Sequence, residues 1–200
     1  MSWKRGAYPE FTVEDAVAAL FILKEPMGRK ALAEMLDLGE GSIRTLLRKL
    51  NGLELIQSTQ RGHSLSERGL ELVEKLLEEF SEVQGVGKIE GLPAYALVVR
   101  KPGEFKSIEL RDEAIRFLAR GAMILTVKNG EPAFPEDGRP LRETMPELAD
   151  RLESLLDFSE GDVIVVTWAE NQAAAMKSAY HVAIALKGDS LPEDLLRIMR

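Results

Sequence analysis

Apolar residues recur along the first third of the chain at the three-and-four spacing of amphipathic helices, and then the period shortens. Val13, Ala16, Val17 and Leu20 lie at i, i+3, i+4 and i+7, on one helical face. Thr12 stands at the cap position with Asp15 three places on, a variant of the capping box. Pro26 and Gly28 end that helix. A second helix is expected over residues 29–36, with Leu32, Met35 and Leu36 inward. Residues 37–41 form a turn. A third helix starts near Ser42: Ile43, Leu46, Leu47 and Leu50 share one face, and Arg44, Thr45, Arg48 and Lys49 fall on the other. Two short strands, 55–58 and 64–65, flank Thr59-Gln60-Arg61-Gly62-His63, where Gly62 supplies a turn conformation other residues resist. Ser66 caps a helix over 67–83, in which Leu70, Val73, Leu77 and Phe80 make a short heptad-like seam beside Leu76 and Val83. Three helices, a hairpin and a fourth helix are the order of a winged helix-turn-helix.

Residues 84–93 carry Gly85, Gly87, Gly91 and Pro93, and the domain boundary is placed there, with a short strand over 86–90. The glycines follow a helix and no Gly-Lys-[Ser/Thr] is present, so this stretch reads as a linker and not as a phosphate loop. Beyond it come a strand (95–100), a helix (109–120), a strand (123–128), the hairpin signal Asn129-Gly130, a strand (132–134), a helix (146–156), a strand (163–168), an Ala-rich helix (171–187) and a last short helix (191–200). Hairpins mixed with crossovers predict the α+β class: a winged helix-turn-helix domain, residues 1–84, followed by a small two-layer α/β sandwich, residues 85–200. Its sheet is antiparallel or mixed, with helices on one face.

Charge then changes the picture. The net charge is −7 over 200 residues, wrong in sign for a nucleic-acid binder. Residues 1–68, however, hold 10 Lys+Arg against 9 Asp+Glu, whereas residues 69–200 hold 16 against 24. The acidic excess lies in the second part, and local charge decides phosphate binding. With no cysteine and two distant histidines, His63 and His181, disulfides, thiolate chemistry and an imidazole-rich metal site are all excluded or disfavoured. No metal and no cofactor are expected. No apolar run reaches the length of a membrane span and the N-terminus lacks a signal-peptide core, so a cytoplasmic protein is expected. Seven Asn and Gln together, among abundant Glu, Arg and Leu, point to a heat-adapted source.

The candidate chemistry follows from the third helix. A helix in the major groove reads base edges through its exposed side chains. Arg44, Thr45, Arg48 and Lys49 supply that face. Ser42, at the helix N-terminus, suits a phosphate oxygen. Arg29 and Lys30 stand at the start of the second helix as phosphate anchors. Arg61 and His63 stand at the wing, within reach of an adjacent groove or backbone. At the strand-to-helix junction of the second domain, Trp168 and Asn171 are the candidate wall of a small-molecule pocket, although a tryptophan there is more often core. No nucleophile–base set or carboxylate pair can be argued from the spacings, so no catalytic residue is assigned.

The segment ALAEMLDLGEGSIRTLLRKLNGLELI followed by QRGHSLSERG resembles the winged-helix domains of archaeal and bacterial transcription regulators. The whole chain is similar to an archaeal family that joins such a domain to a C-terminal domain of unknown function. That second domain is in turn similar, at the level of fold alone, to small α+β insert domains of tRNA synthetase systems, which implies no activity. The resemblance covers the fold and not the target. Double-stranded DNA is the partner expected from the winged-helix order and the basic face of the third helix. A dimer is expected because helix-turn-helix proteins often need two half-sites, and the C-terminal domain is expected to sense an effector ligand or mediate assembly. Two other classes stay open: an adaptor that docks protein through its winged helix, and an enzyme with a winged-helix regulatory head.

Overall fold

A computed structural model describes residues 10–200. The N-terminal segment, read above as lacking a signal-peptide core, lies outside the described residues as far as residue 9. The chain forms two compact units. One runs as far as Glu74 and takes in Pro192–Arg200; the other is Lys75–Leu191.

The first unit opens with α1, Val13–Ile22. Its capping box forms as the sequence predicts: the Asp15 N–H donates to the Thr12 hydroxyl at 3.3 Å and the Thr12 N–H to the Asp15 carboxylate at 2.9 Å. Ala16, Val17 and Leu20 are buried, and so are Ala18, Ala19 and Phe21, so α1 runs through the centre of its unit. Helix α2, Arg29–Leu36, ends on Asp37 in the left-handed region. Helix α3, Glu40–Gly52, starts two residues before Ser42 and packs on α2. Strands β1, Ile56–Thr59, and β2, Gly62–Leu65, form an antiparallel, wing-like hairpin closed by the pair Thr59 and Gly62. Met27 pairs with His63 through both backbone hydrogen bonds, 2.9 and 2.8 Å, and so covers the outer edge of β2. That contact explains Gly62. Its φ is +116°, and a Cβ there would lie 2.5 Å from the Met27 carbonyl. Helix α4, Glu67–Glu79, follows, capped by Ser66, whose hydroxyl accepts from the Gly69 N–H at 3.0 Å.

Helix α8, Glu193–Ile198, belongs to this first unit although it lies far along the chain. It packs on α1, with Leu195 and Ile198 buried. Asp194 accepts a 3.2 Å charged bond from Arg68, which also faces Glu54 at 3.7 Å.

The second unit is built on five strands: β3, Gln84–Ile89; β4, Leu92–Val99; β5, Gly121–Lys128; β6, Glu131–Ala133; and β7, Val163–Trp168. Their spatial order is β3-β4-β7-β5-β6 and every pairing is antiparallel. The stretch 84–93, read as a linker with a short strand over 86–90, is therefore the edge strand β3, its turn and the start of β4. Asn129 and Gly130 take positive φ values of 54° and 78°, the geometry of the tight hairpin that Asn-Gly predicts.

Helices cover both faces of this sheet, not one. Helix α5, Ser107–Phe117, and helix α7, Gln172–Lys187, lie on one side, α7 against β4 and β7 and α5 against β5. Helix α6, Pro146–Leu155, and the 3-10 turn Leu141–Glu143 lie on the other. There, Leu141, Leu148, Ala149 and Leu152 meet Ala94, Ala96, Val98, Leu125, Val127, Ile164, Val166 and Trp168 in one core. The alternate residue Thr167 donates instead to the Ala175 carbonyl of α7 at 2.7 Å. The two-layer expectation is thereby corrected. All six residues of β7 are buried, as a strand with both faces covered requires.

Candidate nucleic-acid interface

In α3 the apolar positions decide which way the polar ones point. Ile43, Leu46, Leu47 and Leu50 are buried, so Arg44 and Arg48 stand exposed on the outer face, with Thr45, Lys49 and Ser42 half-buried along its flanks. A shallow cleft of about 390 Å³ runs along that face, lined by Thr45, Arg48, Lys49, Gly52 and Leu53. Gly39 caps α3 and Gly28 caps α2 without a side-chain bond. The first-turn N–H groups of both helices are therefore free of side-chain acceptors at the cap. Ser42 is not the cap residue; it sits inside the first turn of α3.

Two carboxylates share this surface with the cations. Glu40 accepts from Arg29 at 2.9 Å and from Arg44 at 3.2 Å, so one carboxylate ties the start of α2 to the exposed face of α3. The Thr45 hydroxyl donates to Glu10 at 2.8 Å and lies 3.0 Å from the Gly41 carbonyl. The pairing of Glu40 with Arg44 is a helical i, i+4 contact and is readable from spacing. Glu10, 35 residues from Thr45, is not. Lys30 is exposed in the first turn of α2, next to Arg29.

Arg61 lies with Gln60 at the two-residue tip of the hairpin, and both are exposed. The Thr59 hydroxyl holds the tip: it donates to the Gly62 carbonyl at 2.9 Å and accepts from the Arg61 N–H at 3.2 Å. His63 is one residue inside β2, half-buried, its backbone bound to Met27 on one side and its position paired with Ser58 on the other. Arg61 is thus at the tip, as expected, and His63 is set back from it.

The two residues singled out in the second unit hold structural positions. Trp168 is buried against the α6 side of the sheet, and its indole N–H donates to Glu90 at 3.2 Å. Its ring lies over Gly121, where any Cβ would overlap it. Asn171 caps α7, its side-chain oxygen accepting from the Ala174 N–H at 2.8 Å. A cleft of about 410 Å³ opens elsewhere, between Lys88, Ile89, Met145, Pro146, Leu148 and Arg151.

Comparison with known proteins places these units in two adjoining domain families. Residues 12–71 match the family described as PH0730-like, N-terminal domain, and residues 90–186 match a domain of unknown function, DUF4443. No curated protein matches the chain. Among solved structures, the hypothetical protein PH0730 from Pyrococcus horikoshii OT3 is 53% identical, with a TM-score of 0.89 over 94% of this chain and 100% of that one. Among the described residues, no helix is long and apolar enough to cross a membrane.

Proposed function

The chain belongs to the PH0730-like family, and we propose from that premise that it is a DNA-binding transcriptional regulator. Its first unit is then a winged helix-turn-helix, with α3 as the reading helix and the β1–β2 hairpin as the wing. The observation that carries this reading is the outer face of α3. Arg44 and Arg48 are exposed there, Lys49 flanks them, and the hairpin offers Arg61 at its tip. Arginine on such a helix bonds guanine edges or phosphates. Arg29, Lys30 and Ser42 lie at helix starts, where phosphate oxygens are best accepted. The second unit provides assembly or the effector site.

Glu40 sets a condition on binding. Phosphate contacts make affinity fall steeply with salt, and because a phosphate that takes Arg29 or Arg44 must displace this carboxylate, affinity rises when the carboxylate is neutralised. Arg44→Ala combined with Arg48→Ala is expected to abolish specific duplex binding, and to lower the slope of log affinity against log salt by about two, one for each lost contact. Glu40→Gln is expected to strengthen binding. Fluorescence anisotropy on duplexes selected from a random pool measures both, with circular dichroism to show that the fold persists. Unchanged affinity in the double variant would sink the reading. Failure of the parent chain to bind any duplex at low salt would favour the adaptor reading, in which Glu10 and Glu40 belong to a protein-docking surface.

A further inference from the structure

Helix α5 presents an apolar stripe on the side away from its own core. Leu110 and Ala114 face inward. On the side away from them, Ile108 and Ile115 are 63% and 51% exposed. Single exposed aliphatic residues are ordinary, but two isoleucines two turns apart on one face of an 11-residue helix make a short apolar stripe. Between Ile108 and Ile115, on the same face, stand Arg111 and Asp112, both exposed. Nearby charges pair off within the helix: Lys106 with Glu109 at 3.3 Å, and Arg116 with Glu113 at 3.2 Å. No such pair forms at Arg111 or Asp112 among the described residues.

The order of these four residues is self-complementary. When two copies of one helix pack antiparallel about a two-fold axis, residue i of one meets residue j of the other with i + j constant. An axis through the peptide between residues 111 and 112 sets Ile108 against Ile115 of the other copy, and Arg111 against Asp112, each pair occurring twice. Adjacent residues on a helix do not face each other, so Arg111 and Asp112 of one chain are poor partners for one another and good partners across this axis. A foreign partner would have to supply both the apolar pair and a matched charge pair; a second copy supplies them automatically.

We propose that α5 is the self-association surface of this protein, packed antiparallel on α5 of a second copy about that axis. The proposal deepens the assembly role given above to the second unit, and it stands or falls separately from DNA binding. It places the contact on α5 and not on the heptad-like seam of α4, for which the sequence leaves dimerisation and packing on the domain's own core equally open.

Sedimentation velocity over a range of concentrations tests it, using the full chain. The parent chain is expected to associate reversibly to a dimer. Ile108→Asp or Ile115→Asp should leave a folded monomer, since both side chains are exposed within one copy. Arg111→Asp alone sets like charges across the axis and should weaken association by about tenfold or more. Adding Asp112→Arg to it should restore association to within a few-fold, which no role inside one chain would produce. Because the chain has no cysteine, I108C/I115C should give a disulfide-linked dimer on oxidation. A bridge within one copy is ruled out, as positions seven apart on a helix exceed disulfide reach. A chain that stays monomeric at every concentration, a dimer that tolerates Ile108→Asp, or a charge swap that fails to restore association would each overturn the proposal. Arg44→Ala with Arg48→Ala should still dimerise, and Ile108→Asp should still bind a single half-site at low salt, so this failure and that of the DNA reading are distinguishable.

Discussion

Tyr180 carries its hydroxyl into the interior of the second unit, where the Val83 N–H donates to it at 3.2 Å and its ring meets Phe80 with centroids 6.1 Å apart. Burial pushes the phenol well above its ordinary range; the Val83 donor pulls the other way and does not prevail. The folded chain therefore holds this proton more tightly than the unfolded one. Its stabilising effect is complete below pH about 10 and is lost as the pH rises beyond that. Urea midpoints at pH 8 and above pH 10 should show a larger loss in the parent chain than in Tyr180→Phe, where Tyr95, also raised by burial, still contributes. At pH 8 the variant should itself lose about 1–2 kcal/mol, since the Val83 N–H is left without its acceptor. At this scale the sequence was unevenly legible. Gly62 could be read as a turn glycine. Gly121 could not be read at all, because its reason for being glycine is an indole 47 residues further on.

The elements were readable wherever the local pattern alone decides them. Thr12 and Asp15 signal the start of α1, and the structure closes that box. Thr12→Ala should cost about 0.5–2 kcal/mol, seen as faster amide exchange in the first turn of α1 with the β-sheet unchanged. Patterns failed where a partner from elsewhere decides the face. In α4, Leu70 and Leu77 fit a heptad with Val73 and Phe80. Leu72, Val73, Leu76 and Phe80 turn inward, while Leu70 and Leu77 are 47% and 40% exposed. The buried arc is centred on Leu72, Val73, Leu76 and Phe80, and Leu70 and Leu77 lie about 100° round the helix from that centre, so the seam divides into an inner and an outer set. In β7, VIVVTW shows no alternation. That was a sign of two covered faces, and α6 supplies the second cover. The candidate interface was legible as an amphipathic stripe on α3. Its carboxylates were only half legible, Glu40 by spacing and Glu10 not.

At the scale of the molecule, local pattern says nothing about return. Helix α8 reads as a plain amphipathic end, yet it completes the first unit through Leu195, Ile198 and the Arg68–Asp194 pair. Leu195→Ala should destabilise that unit by about 2–4 kcal/mol. Hydrogen exchange should rise in α1 while β4 and β7 stay protected, because the loss falls on one unit. Equal deprotection of both would show that they unfold together. The five-stranded order was likewise out of reach, since β7 enters between β4 and β5 from 35 residues past the end of β5.

The return of α8 has a consequence for how the molecule is made. Domains at the front of a chain ordinarily fold first during synthesis. Here the front unit gains its last element only after the whole of Lys75–Leu191 has been translated and Pro192–Arg200 has followed it. A nascent or prematurely stopped chain would carry α3 and its arginines on an unfinished scaffold. The second unit has time to fold beforehand, so the exposed face of α3 is completed last, in chains whose second unit has already been translated.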